Sequence, residues 1–277
     1  MFNCDLSANP FRFNFVNRWI ASLFLFCSVA LIFADAPASV RSREFLIEPI
    51  PDWTTPAKIE EKNNSLEKKA TDGVFTLLFN IEINGATRER FVHIAQKYIS
   101  TAGVEANSRL LFTFDPAYEQ LVLHKIVIHR GDQILDQLEP ERIRVIQQEK
   151  ELDRLIYNGA KTALLFLEDV RVGDWVEFAY TIRGRNPIEA GHFSDALSLG
   201  QSFPIQTENY RLLWPRTNQT LWAQIAGNAP QNRRVTDHFL EYAWHWENRP
   251  GVEPEDFVPS STIQYATVHF SDYKTWE

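Results

Sequence analysis

The sequence predicts a mainly β protein: an antiparallel β-sandwich with a short helix, preceded by a signal peptide. Three observations carry that expectation. Two segments, Phe75 to Ile83 and Trp175 to Arg183, alternate apolar and polar residues with period two, as a one-sided strand does. Many short apolar runs are parted by Pro, Gly and Asn clusters, and no repeat of about 20 to 50 residues appears, which argues against a solenoid or propeller. The 277 residues are 44% hydrophobic and 23% charged, with 20 Phe, 8 Tyr and 8 Trp. That balance supplies one large core or two modest ones and excludes disorder, collagen and coiled coil.

Arg12 and Arg18 precede the uncharged run Trp19 to Phe33, in which Ser22 and Ser28 are the polar members. This is the pattern of a secretory signal peptide, residues 1–38. The run is short for a bilayer, which wants roughly 20 residues. Cleavage is therefore expected, with an uncleaved anchor as the alternative and the sole route to a membrane. Ala34, Ala36 and Ala38 form overlapping small-residue sites, and a cut after Ala38 avoids Pro37 and starts the mature chain at Ser39. Both cysteines, Cys4 and Cys27, precede that point. Cys27 follows bulky Phe26, which disfavours lipidation, so the exported chain has no thiol and hence no disulfide, thiolate nucleophile or Cys metal site.

Residues 39–72 read as a leader or linker, with Pro49, Pro51 and Pro56, the charged run Lys58 to Lys69, and a short helix near Ile59 to Lys69. The folded domain is expected over 73–270, and 271–277 begin a further linker. Phe75 to Ile83 is a strand, Asn84-Gly85 supplies a tight turn, and Arg88 to Ile99 returns beside it, either as a strand or partly helical. Leu121 to Leu135 forms a second hairpin about Arg130-Gly131-Asp132, its first arm apolar on both faces. Ile143 to Val145 is a strand, and Leu152, Leu155 and Ile156 place a short helix in Glu149 to Tyr157. Ala163 to Leu167 is a buried run. Further strands fit Ile205 to Leu213, Leu221 to Ala226, Phe239 to Glu247 and Ile263 to Phe270.

With 36 acidic against 28 basic residues, the formal charge is -8, which excludes nucleic acid as an expected partner. No glycine-rich phosphate loop occurs, and no cofactor is expected.

Five stretches in order resemble one known family: Phe114-Asp115-Pro116; Leu121 to His124 with Arg130-Gly131-Asp132; Leu155 to Ala160, which holds Tyr157 and Gly159; Leu167 to Asp174, which holds Asp169 and Gly173; and Tyr180 to Pro187, which holds Gly184 and Asn186. They are similar to the domain of unknown function numbered 3857, over about residues 50 to 270. That domain is found in exported bacterial proteins ahead of a transglutaminase-like domain. The resemblance implies a β-sandwich module without known catalytic residues, in the periplasm or cell envelope of a bacterium. Its partner is the downstream domain with its Cys, His and Asp triad, and a protein or peptide ligand is also allowed. The triad cannot be carried over, because the chain reaches Glu277 about where that domain would begin and no mature cysteine exists. The expectation is a fragment or truncated gene product whose own chain is not an enzyme.

Other constellations weigh less. Arg130-Gly131-Asp132 spells an integrin-type tripeptide but sits where a hairpin needs a turn. Asp169, Gly173 and Asp174 fit turn chemistry. His192, Ser194 and Asp195 hold the three triad residue types, yet no nucleophile elbow accompanies them. The seven His lie at 93, 124, 129, 192, 238, 245 and 269, and the closest pair, His124 and His129, should occupy opposite faces of a strand, which disfavours zinc. A carboxylate hydrolase could draw on Glu168, Glu177 and Glu241. Tyr242, Trp244 and Trp246 share a strand face with Leu240, while Trp214 and Trp222 flank a turn. Core packing is the preferred role, over stacking on a sugar or partner. The sequons at Asn63 and Asn218 matter only in a eukaryotic pathway. A structural envelope protein is the rival to the binding module.

Overall fold

A computed structural model describes residues 40–41, 44–61, 65–147, 159–216, 220–230, 232–252 and 265–274. The signal segment with Ala34, Ala36 and Ala38, the helix expected within Glu149 to Tyr157, Tyr157 itself and both sequons lie outside the described residues. Among those described, no helix is long and apolar enough to cross a membrane.

The protein is mainly β, as the alternation predicts. Sixteen strands are described: β1 (Val40–Arg41), β2 (Phe45–Ile47), β3 (Val74–Asn84), β4 (Glu89–Tyr98), β5 (Arg109–Phe114), β6 (Glu119–Arg130), β7 (Gln133–Asp136), β8 (Arg144–Gln147), β9 (Lys161–Phe166), β10 (Trp175–Gly184), β11 (Ser194–Leu199), β12 (Ile205–Pro215), β13 (Trp222–Ala226), β14 (Arg233–Val235), β15 (Phe239–Arg249) and β16 (Ala266–Ser271). One α-helix, α1 (Thr101–Asn107), follows β4 and is capped by Ser100, whose hydroxyl accepts from Gly103 N at 3.1 Å.

Ten strands form one sheet in the order β1-β2-β6-β10-β4-β3-β12-β15-β14, with β7 beside β6. Most neighbours run antiparallel, but β12 pairs parallel with β3 and β2 parallel with β6. Two three-stranded sheets, β5-β9-β8 and β11-β16-β13, cover a single face of it. The first closes a core with Leu121, Ile126, Val176 and Phe178 around Phe112 and Leu165. The second closes another, in which Tyr210, Trp214, Tyr242 and Trp244 meet Val268 and Phe270. The aromatic residues of β15 therefore pack inward, Trp244 at 2% exposure, while Trp222 stands 59% exposed.

Several local expectations are decided between their alternatives or change. Arg88 to Ile99 returns as a full strand, with no helix. The β3–β4 turn spans Gly85 to Arg88, and Arg88, at φ 56°, takes the left-handed position expected of Gly85. Asn84 Oδ1 accepts from Ala86 N and Thr87 N, while Gly85 is selected by packing: a Cβ there would lie 2.5 Å from the Trp214 ring. β9 is buried on both faces at Thr162 and Ala163 but opens toward its end, where Phe166 is 60% exposed. The expected leader is partly folded onto the sheet, with β2 as a strand and a 3-10 turn at Ser65–Lys69.

The polar side of β10 is not solvent-facing. Glu177 and Thr181 are buried, together with Asn80, Glu82, Glu89 and His93 from β3 and β4. Residues 44–61 lie across this second face of the sheet, where Ala57 and Ile59 also cover Leu78 and Ala95.

Candidate functional site

The family-type motif residues gather at the two ends of β10. At its beginning, Arg130 holds the loop that carries Asp169, Gly173 and Asp174. Its Nε and Nη2 donate to the Asp174 carboxylate at 2.9 and 2.7 Å, and its Nη1 to Asp169 at 2.9 Å. Hydrogen bonds from Arg171 and Arg130 hold the Asp169 carboxyl down to about 2. Gly131, at φ 54°, forms the β6–β7 turn with Asp132, so the tripeptide is a turn whose arginine is turned back onto the protein. Gly159 also has positive φ, and a Cβ on it would meet nothing within 4 Å.

At the far end of β10, the motif residues build a cleft. Asp115 and Pro116 open a turn in which Asp115 Oδ1 accepts from Ala117 N at 3.0 Å, and Glu119 reaches back to Asp115 N at 2.7 Å. Gly184 lies against that turn: a Cβ on it would stand 2.2 Å from Tyr118 O. Asn186 Oδ1 accepts from Ile188 N at 3.1 Å and caps the 3-10 turn Pro187–Glu189. The cleft, about 350 Å³, runs between the two small sheets with Ile83 and Ile182 at its floor.

Its charged lining comprises Arg88, Glu89, Arg90, Arg185, Glu119, Glu189 and Asp195. Arg90 donates to Asp195 at 2.5 Å, Arg88 to Gly191 O at 2.6 Å, and Arg185 forms an ion pair with Glu189 while lying 4.2 Å over the Phe193 ring. Glu189 Oε2 makes no well-aligned hydrogen bond, so this contact is electrostatic rather than directional. Burial pushes the Glu119 carboxyl up, with the Asp115 charge adding to it against the backbone bond from Asp115. Burial also raises Glu189 and lowers Arg185. Of these seven residues only Asp195 stood out in the sequence, as one of the three triad types, although Arg185 lies inside the Gly184 to Pro187 stretch.

The second face of the sheet gathers buried charge. Glu177 receives His93 Nε2 at 2.9 Å on one oxygen and His129 Nε2 at 2.8 Å on the other, with Lys125 Nζ at 2.8 Å. Burial alone would raise its carboxyl, but hydrogen bonds from His93, Lys125 and His129 outweigh that and bring it down to about 2. His129 stacks on Trp175 at 3.5 Å. His124 sits at a β-bulge, where the β6 register shifts opposite Ala179 and Tyr180. That extra residue brings His124 to the same face as His129, contrary to the expected opposite faces, and its Nε2 bonds Thr181 Oγ1 at 2.7 Å.

The remaining constellations dissolve. His192 bonds buried Asp272 at 3.1 Å, while Asp195 is engaged by Arg90, so the three triad types are not assembled. Glu241 is held low against burial by Arg211 and Arg234, and Glu168 is exposed beside Arg142. With Glu177 held near 2, none of the three expected carboxylates lies in the cleft. Among the described residues, no three His, Cys, Asp or Glu are arranged to hold a metal ion.

Fold and cleft together define a mainly β module: a large mixed sheet that carries two small sheets and a polar groove between them. The chain belongs to the family described as Domain of Unknown Function with solved-structure structure (DUF3857), whose profile matches residues 85–253 and so covers the quoted motifs from Phe114 to Pro187. A solved protein from Parabacteroides distasonis ATCC 8503, described as a protease candidate, shares the fold with TM-score 0.61 at 14% identity, over 74% of this chain and 41% of that one. The chain thus spans about two fifths of that protein's length. No curated protein matches the chain in sequence.

Proposed function

We propose that this chain is an exported, non-catalytic module that binds or positions a substrate or partner for a transglutaminase-like or protease-like domain. The supporting observation is the cleft between the small sheets. Its floor is apolar, its arginines are spent on carboxylates and carbonyls, and its carboxyls Glu119 and Glu189 are themselves engaged, which suits recognition better than bond cleavage. Membership of the DUF3857 family and a longer fold neighbour, 41% of which is covered and which is described as a protease candidate, point the same way. The periplasm or cell envelope of a bacterium is the proposed location.

The test is to incubate the purified chain with labelled casein and with an amine donor. Neither hydrolysis nor cross-linking is expected. Activity that Glu119→Gln abolishes would overturn the reading in favour of a carboxylate hydrolase.

A structural envelope role is the second reading, favoured by Leu111, Ile146 and Phe166, which stand 42%, 41% and 60% exposed on the small sheet β5-β9-β8. Native mass separates the two: a monomer without envelope partners disfavours the structural role.

A further inference from the structure

Beneath residues 44–61, the central sheet presents side chains that read a main chain. Glu82 accepts from Thr55 N with both oxygens, at 3.0 and 3.1 Å. Arg211 Nη1 donates to Trp53 O at 2.9 Å, Gln206 Nε2 to Glu60 O at 2.6 Å, and His124 Nδ1 bonds Glu48 O at 2.9 Å. Phe45 to Ile47 add as a parallel strand on β6. Such bonds hold a main chain whatever its sequence; Phe45 to Ile47 do so by β-strand addition, and the rest crosses the face with a turn at Pro51, whose carbonyl accepts from Thr54 N at 3.1 Å.

Selectivity comes from charge. Glu48 pairs with Arg183 at 3.1 Å and Glu61 with Lys97 at 2.8 Å. Trp53 Nε1 donates to Glu89 at 2.9 Å. The covering segment is thus acidic at both ends, over basic residues of the sheet.

The two partners differ in burial. Glu82, Glu89, His93 and Glu177 are buried, whereas Phe45 is the one residue of 44–61 that is. Phe45, with Ile47 beside it, reaches the first core from β2 near the edge of the sheet, so release of the segment exposes one buried side chain while the remaining members of both cores keep their partners. We propose that this face is a binding groove for an acidic peptide, occupied in cis by residues 44–61 and open in trans to a segment of the same chemistry. The proposal deepens the binding-module reading and rests on it.

The experiment places a protease site between Glu61 and Ser65, cuts the folded protein, and adds a fluorescent peptide of residues 44–61. The expected result is 1:1 uptake by cut protein and none by uncut. Replacing Glu48 and Glu61 by Ala in the peptide should weaken uptake at least tenfold, which leaves the protein's own folding untouched. An unrelated acidic peptide with the same Glu spacing should compete, and a Lys-substituted one should not. Circular dichroism confirms that the cut protein stays folded. Three results overturn the proposal: no exchange in folded cut protein, unfolding on release of the segment, or uptake indifferent to peptide charge. Casein turnover by the uncut chain is measured with the segment in place, so failure here leaves the cleft reading standing.

Discussion

Glu177 shows how one residue of the second face couples charge to stability. Its carboxyl is held near 2, below its ordinary 4.5, by His93, Lys125 and His129 against the opposing effect of burial. A depressed folded-state value contributes stability that is complete above about pH 4.5 and lost as pH falls toward 2. Partly exposed Lys125 screens the site, so the contribution is about 2 kcal/mol rather than the full amount the shift would give. Glu177→Gln should cost about 2 kcal/mol at pH 7. Its stability should also fall less steeply than the wild type's between pH 4.5 and 2, when urea unfolding is followed as a function of pH. Parallel curves for the two proteins would remove Glu177 from the acid response.

At the scale of elements, glycine separates a turn from a contact. Gly131 and Gly184 both have positive φ, at 54° and 114°, and both stand in the quoted motifs. A Cβ on Gly131 meets nothing within 4 Å, whereas one on Gly184 collides with Tyr118 O. Gly131→Ala should therefore cost about 1 kcal/mol, the penalty of a left-handed residue alone. Gly184→Ala should cost about 3 kcal/mol or more, because β10 must move off the Asp115 to Tyr118 turn. Thermal unfolding checks both. Hydrogen exchange should show the loosening confined to the cleft for Gly184→Ala, and equal losses for the two variants would contradict the contact argument. The strands themselves were legible, since Phe75 to Ile83 and Trp175 to Arg183 state their period in adjacent residues. The β6 bulge was not, because nothing near His124 marks an inserted residue, and one such insertion reverses the facing of a histidine five positions away. Nor was the cover of the polar face, where Glu48 and Arg183 meet across 135 residues. The cleft was half legible: Asp115, Gly184 and Asn186 were singled out as structural residues, while the charges they position were not.

For the whole molecule, the consequence of one sheet carrying two smaller ones is that the two large cores share no buried residue. The polar cleft runs between the small sheets, with Ile83 of one core and Ile182 of the other at its floor. Packing effects should then add without coupling. Ile126, fully buried in the first core, and Val268, fully buried in the second, provide the pair. Ile126→Val should cost about 1 kcal/mol and Val268→Ala about 2 kcal/mol. The double variant should lose their sum to within about 0.5 kcal/mol in urea unfolding. An interaction of about 1 kcal/mol or more would mean that the long strands carry strain from one small sheet to the other, and that occupancy of the cleft is felt in both. Additivity would instead make the central sheet a rigid platform, on which a ligand in the cleft bridges two independently packed halves.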